Sequence, residues 1–259
     1  MTSDRTRLAA LLAAHGCVAA DDEADELVLA AGGSATRLVD AVVRRLQGEP
    51  LAWVCGSVEV DGLRLCLEQG VYVPRRWQTP AVARAAGARL PAAGAALDLC
   101  TGAGAVAALL QRARPLARVI ATDIDPTAVR CAIANGIHAL VGDLFMPVPS
   151  TLRGTIDVVT AVAPYVPTSA LSLLPRDTLA HEPRAALDGG PDGLAIVRRI
   201  VSEAPAWLRP GGSLVLEHGQ DQVAAVAALL DVGGFVGVSS IIDADDEPCG
   251  TSARRSWRT

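Results

Sequence analysis

A chain of 259 residues that is 51% hydrophobic and 20% charged has enough apolar material for a large core. That excludes disorder over most of its length and removes any need for disulfides or a structural metal. Its net charge of −5 argues against a general binder of nucleic-acid backbones, which carries a basic face.

Aromatic residues make up only 3%, so the core is built from Ala, Val, Leu and Ile. All 23 basic residues are Arg, and Asn occurs once, at Asn135. Cys17, Cys55, Cys66, Cys100, Cys131 and Cys249 are scattered without a Cys-x-x-Cys pair. They read as small core residues of a protein in a reducing cytoplasm, with no metal site. No apolar run reaches the ~20 residues of a membrane span. The first 20 residues resemble a secretory leader only superficially, because His15, Gly16 and Cys17 interrupt the apolar stretch.

In chain order, residues 1–50 read as short helices. Leu8, Leu11 and Leu12 share one helical face; Asp21 or Asp22 is placed to cap a second helix, which Gly32-Gly33-Ser34 ends. Leu38, Val42 and Leu46 define a third over 35–46. After Gly48-Glu49-Pro50, two strand-like runs at 53–60 and 63–67 flank Asp61-Gly62, a hairpin turn pair. From residue 78 the pattern alternates. Helices are expected at 80–90, 104–113, 126–134, 192–208 and 220–230, with strands at 95–99, 119–122, 139–141, 156–161, 213–217 and 236–242. A last strand is expected near 253–258. Short apolar strands alternating with helices imply an α/β protein with a parallel sheet covered on both faces.

The strand at 95–99 runs into Cys100-Thr101-Gly102-Ala103-Gly104, a glycine loop that opens a helix. Glycines allow close backbone approach, and a helix start offers free N–H groups to a ligand. Asp123 ends the next strand, 21 residues after Gly102, where a carboxylate can accept both hydroxyls of a ribose. Gly102-x-Gly104-x-x-Ala107 also satisfies a dinucleotide fingerprint, so a nicotinamide cofactor is the alternative ligand. Asp98, inside the first strand, suits the cationic sulfonium and amino groups of S-adenosylmethionine better than a pyrophosphate. Asp143 and Leu144, after the third strand, can bracket an adenine.

After the fourth strand comes Val162-Ala163-Pro164-Tyr165, which resembles the Asn-Pro-Pro-Tyr motif of the HemK-type protein-(glutamine) N-methyltransferases. The likeness extends through Arg45–Leu51, Gly62–Leu65, Gly70–Arg75 and Glu182–Leu194. It implies a class I methyltransferase: a Rossmann-like, seven-stranded, mostly parallel sheet with a reversed last strand. A small helical domain (1–50), a β-hairpin linker (51–74) and the S-adenosylmethionine-dependent domain (75–259) follow from it. Asp98, Cys100, Thr101, Gly102, Ala103, Gly104, Asp123, Asp143 and Leu144 become the donor-binding residues. Val162, Ala163, Pro164 and Tyr165 become the catalytic turn, acting on a glutamine of a release factor or ribosomal protein.

In the family the motif's Asn side chain and the next carbonyl orient the amide for in-line transfer, and the Tyr packs against it. Val162 fills similar space but neither donates nor accepts, and one lost partner costs roughly 1–3 kcal/mol, about 10–100-fold in rate. A small-molecule amine acceptor and a donor-binding protein without turnover are therefore the alternatives. Arg75 and Arg76 read as a solvated pair, with a ligand clamp as the alternative. Glu182 lines the entrance beside His181 or pairs with an Arg. Glu217 and His218, at a strand end, either shape the site or serve the scaffold.

Overall fold

The structure is a computed structural model and describes residues 2–174 and 176–257. Four helices come first: α1 (Thr2–Ala14), α2 (Ala20–Ala31), α3 (Ala35–Leu46) and α4 (Leu51–Cys55). They enclose their own cluster of Leu12, Ala24, Leu27 and Ala41. The Ser34 hydroxyl accepts from the Arg37 N–H and starts α3. Asp21 and Asp22 do not cap α2. Ala19 holds that position, and the two acids lie in the first turn, where they favour the helix through its dipole.

Residues 53–55 were expected in a strand but are helical. Pro50 starts α4 and Gly56 ends it in the left-handed conformation. The helix buries the Trp53 indole, whose Nε1 donates to the Val71 carbonyl at 2.9 Å. That anchoring overrides the strand preference of Trp, Val and Cys. The hairpin then follows as β1 (Ser57–Val60) and β2 (Leu63–Cys66), with Val60 opposite Leu63. Asp61 and Gly62 take φ of 51° and 74°, as a tight two-residue turn requires.

The main sheet contains β3 (Ala95–Leu99), β4 (Arg118–Asp123), β5 (Ala139–Val141), β6 (Ile156–Ala161), β7 (Leu208–Glu217), β8 (Phe235–Ile242) and β9 (Pro248–Arg255). Their order is β5-β4-β3-β6-β7-β9-β8. The first five are parallel; β9 runs antiparallel to both neighbours. Helices α5 (Gln78–Gly87), α6 (Ala105–Ala113) and α7 (Pro126–Ala134) pack one face through Ala96, Val119, Val158 and Val215. After the short α8 (Arg176–His181), helices α9 (Ala195–Glu203) and α10 (Val223–Val232) cover the other through Leu97, Ile120, Val159 and Leu214. The chain leaves β3 outward through β4 and β5 and returns to β6, so a crevice opens between the carboxyl ends of β3 and β6.

Several expected boundaries move, among them the start of β7, at Leu208 rather than 213, and that of α10, at Val223 after a 3₁₀ turn at Gln220–Gln222. The helix expected over 192–208 is α9 alone, followed by a 3₁₀ turn at Ala204–Ala206, because Pro205 cannot continue an α-helix. Strand β9 begins five residues before the expected 253, since β7 and β8 pair with it on both sides. No described helix is long and apolar enough to cross a membrane.

Candidate active site

At the crevice lies a cavity of about 320 Å³ lined by Asp98, Cys100, Thr101, Gly102, Ala103, Asp123, Asp143 and Leu144, among others. Eight of the nine expected donor-binding residues thus share one wall system. The ninth, Gly104, does not line it. A Cβ there would meet Ile137 at 2.8 Å and Ala132 at 3.2 Å, so this glycine lets α6 close onto α7. Gly102 has the other role: its φ is +55°, and a Cβ would meet nothing within 4 Å. Cys100 and Leu144 also have positive φ, 53° and 49°, a strained conformation for residues with side chains, and both face the cavity.

The acids are held differently. Asp123 accepts from the Gly102 N–H on one oxygen and the Asp125 N–H on the other, each at 2.9 Å. A carboxylate oxygen accepts more than one bond, so both retain capacity towards the cavity. Burial raises its pKa. Asp98 is 1% exposed, and its oxygens accept from the Thr101 and Thr160 hydroxyls, both at 2.6 Å. Burial pushes it up to about 6, against the pull of the two hydroxyls. Asp143 is paired at 2.7 Å with Arg199, which also lines the cavity.

A second cavity, of about 270 Å³, adjoins the first and is lined by Tyr72, Arg75, Val162, Ala163, Tyr165 and Thr178, among others. Val162 and Tyr72 border both cavities, and Pro164 faces the first. The turn is braced by the segment after α8. Val166 N–H donates to Leu187 O at 3.0 Å, and Gly189 N–H to Val166 O at 2.9 Å. Gly189 and Gly193 lie against the turn's carbonyls: a Cβ at Gly189 would come within 2.6 Å of Pro164 O, and one at Gly193 within 2.2 Å of Tyr165 O.

Two residues that brace the site from behind were missed by sequence reasoning. Gln222 Nε2 donates to Tyr165 O at 2.9 Å and to Asp192 O at 3.3 Å, while its Oε1 accepts from Gly219 N–H. Asn135 ties the hairpin to the glycine loop: its Oδ1 accepts from Cys66 N–H, and its Nδ2 donates to Cys66 O and Ala103 O. Asn135's singularity in the composition was a signal; Gln222 carried none.

Arg75 is not half of a solvated pair. Its Nη2 bridges the buried Glu182 at 3.1 Å, and its guanidinium lies 4.7 Å from the Tyr72 ring centre; Arg76 is exposed. Glu182 therefore serves the scaffold, and His181 packs edge-on against Trp53. His218 is structural too, its ring nitrogens engaging Thr251 Oγ1 at 2.7 Å and Gly219 O at 2.8 Å.

No protein-family model matches the chain. It is 35% identical to the 4-amino-L-phenylalanine/4-methylamino-L-phenylalanine methyltransferase of Streptomyces pristinaespiralis, over 98% of this chain and 89% of that protein. It is also 35% identical to the release factor glutamine methyltransferase of Mycolicibacterium smegmatis, over 97% and 91%. Identity reaches 41% with the release factor glutamine methyltransferase of Moorella thermoacetica, over 79% and 73%. Among solved structures, a T. thermophilus 16S rRNA N2 methyltransferase in complex with AdoMet and guanosine matches in fold, with a TM-score of 0.52. It is 19% identical, over 77% of this chain and 44% of that one. With relatives this similar over most of both chains, a class I fold and this crevice, the chain belongs to the HemK-type protein-(glutamine) N-methyltransferase family and is an S-adenosylmethionine-dependent methyltransferase.

Proposed function

We propose that the protein methylates the side-chain amide nitrogen of a glutamine in a protein substrate, a release factor first and a ribosomal protein second. One observation carries this reading: Val162 is a wall common to the two cavities, so a donor in the first and an acceptor in the second would meet at the 162–165 turn. The first cavity suits the donor chemically. Gly102 leaves open space against a helix start, and Asp123 holds two oriented oxygens with capacity for ribose hydroxyls. S-adenosylmethionine supplies a methyl group on a positively charged sulfur.

In this reading Asp98 faces the donor's cationic groups and Cys100, Thr101, Gly102 and Ala103 form its cradle. Gly104 acts indirectly, by seating the helix. Asp123 holds the ribose, and Asp143 and Leu144 the adenine. On the acceptor side Ala163 offers its carbonyl, Pro164 stiffens the turn and Tyr165 packs against the amide. Residues 1–50 form a docking domain, 51–74 the linker and 75–259 the catalytic domain, in a cytoplasmic protein that binds neither membrane nor nucleic acid directly.

A second reading has its own support. Val162 cannot hydrogen-bond an amide, and the Streptomyces relative named above acts on an aromatic amino compound. An amine nitrogen keeps its lone pair and needs less help from position 162. The test is calorimetry with S-adenosylhomocysteine, then labelled methyl transfer to a recombinant release factor, a ribosomal protein fraction and 4-amino-L-phenylalanine. Label on a glutamine, raised about 10–100-fold by Val162→Asn, is the expected result. Label on the amine alone, indifferent to that change, selects the second reading. Absence of donor binding removes both.

A further inference from the structure

Val162 leaves the acceptor nitrogen short of one hydrogen-bond acceptor, and the neighbouring strand carries a candidate. In the parallel register of β6 and β7, Ala161 lies beside Leu216, which brings Val162 next to Glu217. Both belong to the sheet face that carries Val158 and Val215. Glu217 is 1% exposed, and neither of its carboxylate oxygens has a hydrogen-bond partner. A buried, unpartnered carboxylate is costly and calls for an explanation.

Four groups face it: the Tyr165 phenol from the turn, the Arg75 guanidinium and Tyr72 phenol from the segment before α5, and the Cys249 thiol from β9. Arg75 is already committed to Glu182. His218 is next in sequence, with its ring engaged by Thr251 and Gly219. Tyr165 lines the second cavity and is also one of the groups that act on the Glu217 carboxylate, which puts its side chain between the two.

We propose that Glu217 accepts, through the Tyr165 hydroxyl, the proton that the acceptor nitrogen sheds when it is methylated. The proposal rests on the methyl-transfer reading above. The nitrogen lone pair forms the N–C bond as the C–S bond breaks, and sulfur keeps that pair and becomes neutral. The nitrogen, now positive, passes a proton to the Tyr165 oxygen while the phenol's own proton moves to the carboxylate. The methylated nitrogen is left neutral, Glu217 becomes a neutral acid, and water recovers the proton after the product leaves. Burial pushes the Glu217 carboxyl up to about 7, with Arg75 and Tyr165 pulling the other way. It is therefore basic enough to take a proton and still ionised in a large fraction of molecules near neutrality.

The experiment measures single-turnover methyl transfer by the full-length protein from about pH 5.5 to about 9, with a recombinant release factor and, separately, 4-amino-L-phenylalanine as acceptors. The wild-type rate should climb through an apparent pKa near 7 and then level. Glu217→Gln should lose that climb and run about 10²–10⁴-fold slower at pH 8, with S-adenosylhomocysteine affinity within about threefold of wild type. Tyr165→Phe, which keeps the ring and the carboxylate, should lose the climb too. A purely structural Glu217 lowers the rate at every pH and leaves the climb intact. Either variant retaining the wild-type climb overturns the proposal alone. No labelled product from the wild type with either acceptor overturns the methyl-transfer reading, and the proposal with it.

Discussion

Asp123 illustrates how one side chain is prepared by its neighbours for work it does outward. Its two oxygens are fixed by the N–H groups of Gly102 and Asp125, so a ligand meets an acceptor pair whose orientation has already been set. Asp123→Asn would turn an NH₂ group towards one of those N–H donors and cost one acceptor. We expect S-adenosylhomocysteine affinity, by calorimetry, to fall about 10–100-fold, as one buried hydrogen bond left unmade implies. This residue was legible in the sequence because its role follows from local order: strand, glycine loop, helix, strand, acid. The same holds for Asp98, though its threonine partners were not both foreseeable; Thr101 is three residues away and Thr160 is 62. Arg75 was misjudged for that reason. Its partner Glu182 lies 107 residues on, and nothing near Arg75 announces it.

At the scale of elements, the 162–165 turn depends on a second segment that lies against it. The glycines of Asp188-Gly189-Gly190-Pro191-Asp192-Gly193 were noticed as a family likeness without a physical reason. The reason is contact: backbone carbonyls of Pro164 and Tyr165 occupy the volume where side chains at Gly189 and Gly193 would begin. Gly193 also has φ of +76°, which disfavours any residue with a Cβ. Gly193→Ala should therefore push the turn's Tyr165 carbonyl and the Gln222 amide that donates to it apart. We expect a loss of about 1–3 kcal/mol of stability, read as a lower thermal midpoint, and at least about tenfold in turnover. S-adenosylhomocysteine affinity should change little, because Gly193 does not line the first cavity. A matching fall in affinity and turnover would contradict this division of labour. Strand and helix identities in the sheet were readable from periodicity. The short α4 was not, since Trp53 is held by Val71, 18 residues later, rather than by its local pattern.

Across the whole molecule, the crevice is made at a cost to the fold. Asp98 and Glu217 are acids on the sheet face otherwise filled by Ala96, Val158 and Val215, and burial raises both, to about 6 and about 7. Each binds a proton in the folded state over a range where the unfolded chain has lost it, for Glu217 between the ordinary 4.5 and about 7. Stability then falls as pH rises through that window, and the penalty is fully present above it. The full shift corresponds to the order of 3 kcal/mol for Glu217, an upper bound on what neutralising it can return. Glu217→Gln leaves an unpartnered amide in the same place, so part of the cost remains. We expect its thermal midpoint to exceed the wild-type value by roughly 3–8 °C at pH 8, with the gap closing as pH approaches about 5. A variant that melts lower than wild type at pH 8 would mean that the carboxylate is stabilised by the fold rather than tolerated for the site. In that case the slower turnover expected of the same variant would carry no information about proton transfer unless its pH profile also changed.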